Sequence, residues 1–90
     1  MNLSDITVSY IPEQSPDTRP GAYYCTVLDN SRVGFLAGPF ATHQEALDTV
    51  PAAKAAAESV NNRAFWYAYG TARLENPIGP GVLNDILGIT

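Results

Sequence analysis

The segment most informative about the fold is Arg63-Ala64-Phe65-Trp66-Tyr67-Ala68-Tyr69-Gly70-Thr71-Ala72-Arg73. Aromatic and small side chains alternate along it with a period of two, which predicts a β-strand. The small face suits the close approach of a helix, so we expect a helix to cover it and the aromatic face to need a different partner. The small face carries Trp66, Ala68, Gly70 and Ala72, and the aromatic face carries Phe65, Tyr67, Tyr69 and Thr71.

Three further strands are predicted before this stretch. Residues 6–11 alternate between apolar and polar side chains and stop at Pro12, and a proline-rich loop follows over 12–21. Residues 22–28 are rich in aromatic and β-branched side chains, and residues 32–37 return after the turn Asp29-Asn30-Ser31. The second and third strands are therefore expected to form a hairpin.

A helix is predicted over 43–60. Thr42 and Glu45 have the spacing of a capping box, and Asn61-Asn62 is expected to end the helix with one residue in the left-handed conformation. Pro51 either kinks the helix or splits it, because proline removes an interior hydrogen bond. We expect one kinked helix.

These elements predict an α+β fold, β-β-β-α-β, with a four-stranded mixed sheet and one Pro51-kinked helix packed on one face. A helix of this length returns the chain along the sheet, so 63–73 should run parallel to 32–37. The last strand is expected to pair with the first or the third. Residues 1–90 are expected to form a single compact domain in which 75–90 is a C-terminal docking segment. A short helical turn over 81–87 clusters Val82, Leu83, Ile86 and Leu87.

Composition limits the classes of function. Five Lys and Arg against nine Asp and Glu give a formal net charge of −4, which argues against direct nucleic-acid binding and suits a basic protein surface. The one cysteine excludes an intrachain disulfide. The N-terminus lacks the pattern of a signal peptide, and no apolar run approaches a membrane span. We expect a cytoplasmic protein that does not bind a membrane.

Few residues suggest catalytic or metal chemistry. Cys25 and His43 are the only candidates for a nucleophilic pair, but a cysteine in mid-strand is typical of a small buried side chain. His43 is expected to be an exposed first-turn residue. The sequence shows no metal-ligand spacing and no phosphate loop, so we expect neither a cofactor nor enzymatic activity.

The aromatic side chains are the predicted partner-binding residues. One ring buries about 150 to 250 Å² when it is covered, so a few together can form an interface. The cover is either the C-terminal segment of this chain, a second copy, or another protein. The predicted residues are Phe65, Tyr67, Tyr69 and Tyr23.

Three segments give the chain a resemblance to small phage and prophage proteins of unknown function. They are Tyr23-Tyr24-Cys25-Thr26-Val27, Leu36-Ala37-Gly38-Pro39-Phe40-Ala41-Thr42-His43-Gln44-Glu45-Ala46-Leu47, and Phe65-Trp66-Tyr67-Ala68-Tyr69-Gly70-Thr71-Ala72-Arg73. The resemblance implies an accessory role in the cytoplasm of a host cell, and by analogy an inhibitor of host machinery such as an anti-CRISPR protein. It implies no catalytic residues.

Two functional hypotheses follow. The first is a non-enzymatic, acidic, phage-type accessory protein that binds another protein, including a host defence or nucleic-acid-handling complex. The second is a homodimeric structural or self-assembly module.

Overall fold

A computed structural model describes residues 15–29, 32–61 and 67–89 of the chain. They form a small α+β structure with a three-stranded antiparallel sheet and one main helix, which confirms the predicted fold class. In chain order the elements are β1 (Ala22–Asp29), β2 (Arg32–Phe40), α1 (His43–Val60), β3 (Ala68–Leu74) and the short α2 (Asn84–Leu87).

The sheet has the order β2-β1-β3. The predicted hairpin is confirmed, because β1 pairs antiparallel with β2. The last strand pairs with β1, which corrects the predicted pairing with the third predicted strand, whereas the alternative pairing with the first predicted strand lies outside the described residues. Because β2 and β3 are both antiparallel to β1, they run parallel to each other with β1 between them, as the crossover through α1 requires. The strand predicted over 6–11, and with it the four-stranded mixed sheet, lies outside the described residues.

Helix α1 has the predicted bounds and cap. Thr42 is the N-cap, and its side-chain oxygen accepts a hydrogen bond from the Glu45 amide at 3.3 Å. The Glu45 carboxylate accepts from the Thr42 hydroxyl at 3.1 Å, where the expected capping box would bond the cap amide instead. The helix is continuous through Pro51. Asn61 is extended with φ −152°, so the prediction of a left-handed C-cap is wrong for this residue, and Asn62 lies outside the described residues.

The two faces of β3 are reversed relative to the prediction. Thr71 contacts the first turn of α1, where its hydroxyl lies 2.9 Å from Nε2 of His43. The Lys54 ammonium lies 5.8 Å from the centre of the Tyr69 ring. The face of Tyr69 and Thr71 therefore packs on the helix, and Ala68, Gly70 and Ala72 belong to the opposite face. Alternation assigns side chains to two faces but does not state which face the helix covers.

The opposite face of the sheet is also covered. Tyr24 is fully buried there and packs with Ala22, Leu74 and the edge of the Phe35 ring. Its hydroxyl donates to the Gly79 carbonyl at 2.7 Å and accepts from the Ile78 amide at 3.1 Å. The segment after β3 therefore folds over the sheet face that does not contact α1.

The chain then docks along β2. The amides of Gly81, Val82 and Leu83 donate to the carbonyls of Gly38, Phe35 and Leu36 at 3.0, 3.0 and 2.8 Å. Register shifts in this part of the β1–β2 ladder accompany the docking. Leu83 is buried in the core, whereas Val82 and Ile86 are exposed. The predicted helical turn is present over the shorter range Asn84–Leu87.

Candidate functional site

The predicted partner-binding residues do not form one open surface. Tyr23 is 1% exposed and Tyr69 is 7% exposed, and both belong to the core between sheet and helix. A partner cannot reach either ring without displacing α1 or the segment before β1, so the expected aromatic surface is corrected for these two residues. Tyr67 is half-buried at the start of β3, where its hydroxyl accepts from the Asn61 side chain at 3.4 Å. Phe65 lies outside the described residues.

A different surface remains accessible beside Tyr67. It is a recess of about 190 Å³ between the C-terminal end of α1 and the docked segment that follows Gly81. We call it the Val60–Val82 groove, after the two exposed valines that flank it. Val60 is 63% exposed and Val82 is 75% exposed. The groove is lined by Val27, Leu36, Ala57, Val60, Asn61, Tyr67, Val82 and Leu83.

The local sequence explains why these apolar side chains are left in solvent. Val60 is the final residue of α1, and the buried stripe of the helix stops at Ala57, one turn earlier. Val82 lies between Gly81 and Leu83, whose amides are engaged by β2, and the side chain of Leu83 takes the buried position. The sequence predicts Val82 as part of the C-terminal docking segment, and the structure leaves this side chain exposed. The exposure of Val60 and Val82 depends on how the C-terminal end of α1 and the docked segment lie beside each other, and the sequence does not predict that arrangement.

The groove adjoins the C-terminal end of α1. The last turn of α1 contains no basic residue, so the partial negative charge of the helix end is not offset within that turn. Glu58 lies in the same turn and forms an ion pair with Lys54 at 2.7 Å. Asp85 lies in the first turn of α2, shortly after Val82. The groove therefore combines an apolar recess with the carbonyl end of α1, which attracts a cation.

A second cluster lies at the opposite end of α1, around His43. The prediction that His43 is exposed is wrong, because its side chain is buried at 7% exposure. Nδ1 accepts a hydrogen bond from the Asp17 amide at 2.7 Å, and Nε2 lies 2.9 Å from the Thr71 hydroxyl. The Tyr23 ring stacks on the imidazole at a centroid distance of 5.2 Å. The segment before β1 folds back over the helix start, and no local pattern in the sequence indicates this.

These contacts determine the protonation of His43. An amide can only donate, so Nδ1 must present its lone pair and the ring proton must be on Nε2. Nε2 then donates to the oxygen of Thr71. Burial lowers the pKa of His43 from its ordinary value of 6.5, although the nearby Asp17 carboxylate acts in the opposite direction. The imidazole is therefore neutral at pH 7.

This tautomer bears on the nucleophilic pair that the sequence suggested, Cys25 and His43. Because Nε2 carries the proton, the ring cannot remove a proton from Thr71, which is itself buried. The thiol of Cys25 donates to the Ala46 carbonyl at 3.0 Å, and burial raises the pKa of that thiol to about 12. In the described geometry Cys25, His43 and Thr71 link the sheet to α1 through hydrogen bonds.

Among residues 15–29, 32–61 and 67–89 no group of three or more His, Cys, Asp or Glu side chains is arranged to hold a metal ion. Within the same part of the chain, no helix has the length and apolar character that crossing a membrane requires.

Comparison with protein-family models, curated proteins and solved structures finds no match to this chain. The resemblance to phage and prophage proteins therefore stays a prediction.

Proposed function

We propose that this protein acts without catalysis, by binding another protein through the Val60–Val82 groove. The observation that carries the proposal is the pair of exposed valines flanking an apolar recess. Contiguous exposed apolar surface in a small protein is typical of an interaction site, because leaving it in water costs free energy that a partner would recover.

The chemistry of the surface selects one kind of occupant. We propose a partner segment that places an aliphatic side chain in the recess and a Lys or Arg beside it. The aliphatic side chain would contact Val60, Tyr67 and Val82, and the cation would approach the C-terminal carbonyls of α1. The formal net charge of −4 supports the same assignment, since it favours encounter with a basic protein surface.

A basic surface is what a nucleic-acid-handling complex presents to its substrate. We therefore propose a phage-type accessory protein whose partner is a host defence or nucleic-acid-handling complex, with an anti-CRISPR-like inhibitor as one form of this function. The acidic composition and the resemblance described above support this part of the proposal.

The proposal is tested with charged substitutions in the groove. Val60→Asp and Val82→Asp each place a carboxylate where an aliphatic contact is proposed. Ile78→Asp is the matched control, because Ile78 is also exposed, at 49%, but does not line the groove. Proteins from host lysate that are captured by wild type would be purified, and their affinities for wild type, the two groove variants and Ile78→Asp would be measured by calorimetry.

We expect each groove variant to weaken the purified complex by about tenfold or more, while the control stays within about twofold of wild type. Affinity should also fall as salt is added, because the proposed contact includes a cation. Equal affinity of wild type and both groove variants, all shown to be folded by circular dichroism, would remove the groove from the function.

Self-association through the same groove is the competing outcome. Light scattering of the purified protein distinguishes self-association from binding to a different partner. If wild type is a dimer and Val60→Asp is a monomer, the groove binds a second copy of this chain. A monomer at high micromolar concentration is the result expected for a different partner.

A further inference from the structure

Residues 15–21, which we call the strap, cross over the start of α1 and are held by three hydrogen bonds of different kinds. The Asp17 amide donates to Nδ1 of His43 at 2.7 Å. The Tyr23 hydroxyl donates to the Arg19 carbonyl at 2.5 Å, and Nε of Arg73 donates to the Pro20 carbonyl at 3.0 Å. Of these three contacts, the one at His43 requires a particular protonation state near neutral pH.

The bond at His43 exists only while Nδ1 is unprotonated. A proton on Nδ1 would make it a donor, and it would then face a second donor, the Asp17 amide, at a distance of 2.7 Å. Nε2 cannot relieve this conflict, because it is engaged with the Thr71 hydroxyl. Protonation therefore replaces an attractive contact with a repulsive one at the middle of the strap.

Among the described residues, the charged and titratable groups on the elements packed against the ring come from four elements. The strap contributes Asp17 and Arg19, β1 contributes the Tyr23 phenol, β3 contributes Arg73, and α1 itself contributes Glu45. The Asp17 carboxylate is the group that could hold a protonated ring. It is bound by Arg19, whose Nε lies 2.9 Å from Oδ2.

This pairing with Arg19 keeps the carboxylate charged throughout the relevant range. Hydrogen bonds from the Arg19 side chain and amide lower the pKa of Asp17 to about 2. Acidification to a mildly acidic pH therefore changes the charge of His43 and leaves that of Asp17 unaltered.

We propose that His43 is a pH-sensitive latch, so that mild acid protonates Nδ1, breaks the bond to the Asp17 amide and opens the strap. Opening also removes the carbonyl that accepts from Tyr23, and it withdraws one wall of the cleft of about 420 Å³ between the strap and the start of α1. Tyr23, which the sequence indicated as a partner-binding residue, then becomes reachable from solvent. This inference concerns the other end of α1 and does not depend on the Val60–Val82 groove.

The direction of the pH dependence follows from linkage. The closed strap holds the imidazole neutral, so the pKa of His43 is lower in the closed state than in the open state. The stabilisation that the His43 bond gives to the closed strap is complete above the ordinary pKa of 6.5, and it is lost as the pH falls below that value. Between the two pKa values the closing equilibrium weakens by about tenfold for each pH unit.

The test is amide hydrogen exchange measured by NMR from about pH 7.5 to about pH 5 on the whole protein, with rates converted to protection factors. We expect the protection factor of the Asp17 amide to fall as the pH drops below 6.5, by at most about tenfold per pH unit, while those of the Val27 and Ala53 amides stay unchanged. The ring nitrogen shifts of His43 should report the Nε2–H tautomer at the upper end of the range.

His43→Asn is the informative variant, because its side-chain oxygen can accept from the Asp17 amide and does not titrate. The strap of this variant should show protection that is independent of pH. A constant Asp17 protection factor in wild type, an Nδ1–H tautomer near neutral pH, or an equal pH dependence in His43→Asn would each overturn the latch. The Asp17 protection factor and the His43 tautomer, both measured on wild type, test the latch even if the variant does not fold.

Discussion

Gly38 shows how one residue joins distant parts of the chain. Its φ is +128°, a conformation that side chains rarely adopt, and a Cβ there would lie 2.7 Å from the Tyr23 carbonyl oxygen. Its amide donates to Oδ1 of Asn84 at 3.0 Å, and its carbonyl accepts from Nδ2 of Asn84 at 2.6 Å. Gly81 approaches even more closely, since a Cβ would lie 2.5 Å from Cα of Ala37. The absence of a side chain lets Gly38 lie close to β1 and lets the C-terminal segment dock on β2 at Gly81.

Gly38→Ala should therefore lower the free energy of unfolding by roughly 3 kcal/mol, through backbone strain together with a clash against the backbone of Tyr23. Gly79→Ala is the matched control. Gly79 also has a positive φ, +117°, but a Cβ added there would meet no atom of the described residues within 4 Å, so strain alone applies. Urea unfolding measures both variants. If the free energy of unfolding falls no more in Gly38→Ala than in Gly79→Ala, the clash with the Tyr23 backbone does not contribute to the loss of stability.

The Gly38-Pro39 pair illustrates what the sequence can state at this scale. The pair is expected to end the strand predicted over 32–37, but β2 continues through Phe40 past an irregular part of the β1–β2 ladder. Gly38 is bonded there by Asn84, which is remote in sequence and has no local signal. The burial of His43 also depends on a distant residue, because Asp17, which contacts its ring, lies far away along the chain.

Elements were predicted better than the faces they present. The bounds of α1 and the β1–β2 hairpin follow from local capping, turn chemistry and alternation. The prediction of which β3 face contacts α1 is wrong, because it rests on the idea that small residues mark the helix side. In the structure Tyr69 and Thr71 contact the helix through Lys54 and His43. Which of two apolar faces a helix covers is decided by the whole set of packing contacts.

The cap of α1 gives a test at the scale of the element. Thr42→Ala removes the acceptor for the Glu45 amide and should lower the free energy of unfolding by about 1 kcal/mol. Thr49→Ala removes a hydroxyl that donates to the Glu45 carbonyl inside the helix. Because alanine is the better helix former, that variant should change stability by less than about 0.5 kcal/mol. Thermal or urea unfolding compares the two, and a Thr42→Ala variant as stable as wild type would contradict the assigned cap.

At the scale of the whole molecule, the sheet, α1 and the C-terminal segment enclose one main core. Cys25 lies within it at 1% exposure, together with Tyr23, Val50 and Leu83. Its thiol is the only one in the chain. It therefore reports on any opening that separates the sheet from the helix.

We expect DTNB to label Cys25 slowly at about pH 8 in the native protein. Burial excludes the reagent, and a pKa of about 12 leaves only about one thiol in ten thousand ionised at that pH. In the urea-unfolded protein the same thiol should react at the rate of a free cysteine, which provides the internal control. Rapid labelling of a protein that retains its native circular dichroism would contradict the placement of Cys25 in the core.

The docked segment after Pro80 has one more consequence, for how the protein behaves when it is concentrated. β2 is an outer strand of the described sheet, and such strands can recruit a neighbouring molecule by strand addition. Here the carbonyls of Phe35, Leu36 and Gly38 are already bonded to the chain's own amides. Undocking of residues 81–83 would free those carbonyls, so a substitution of Asn84 that weakens the attachment of this segment to Gly38 would favour edge-to-edge association on that side of the sheet.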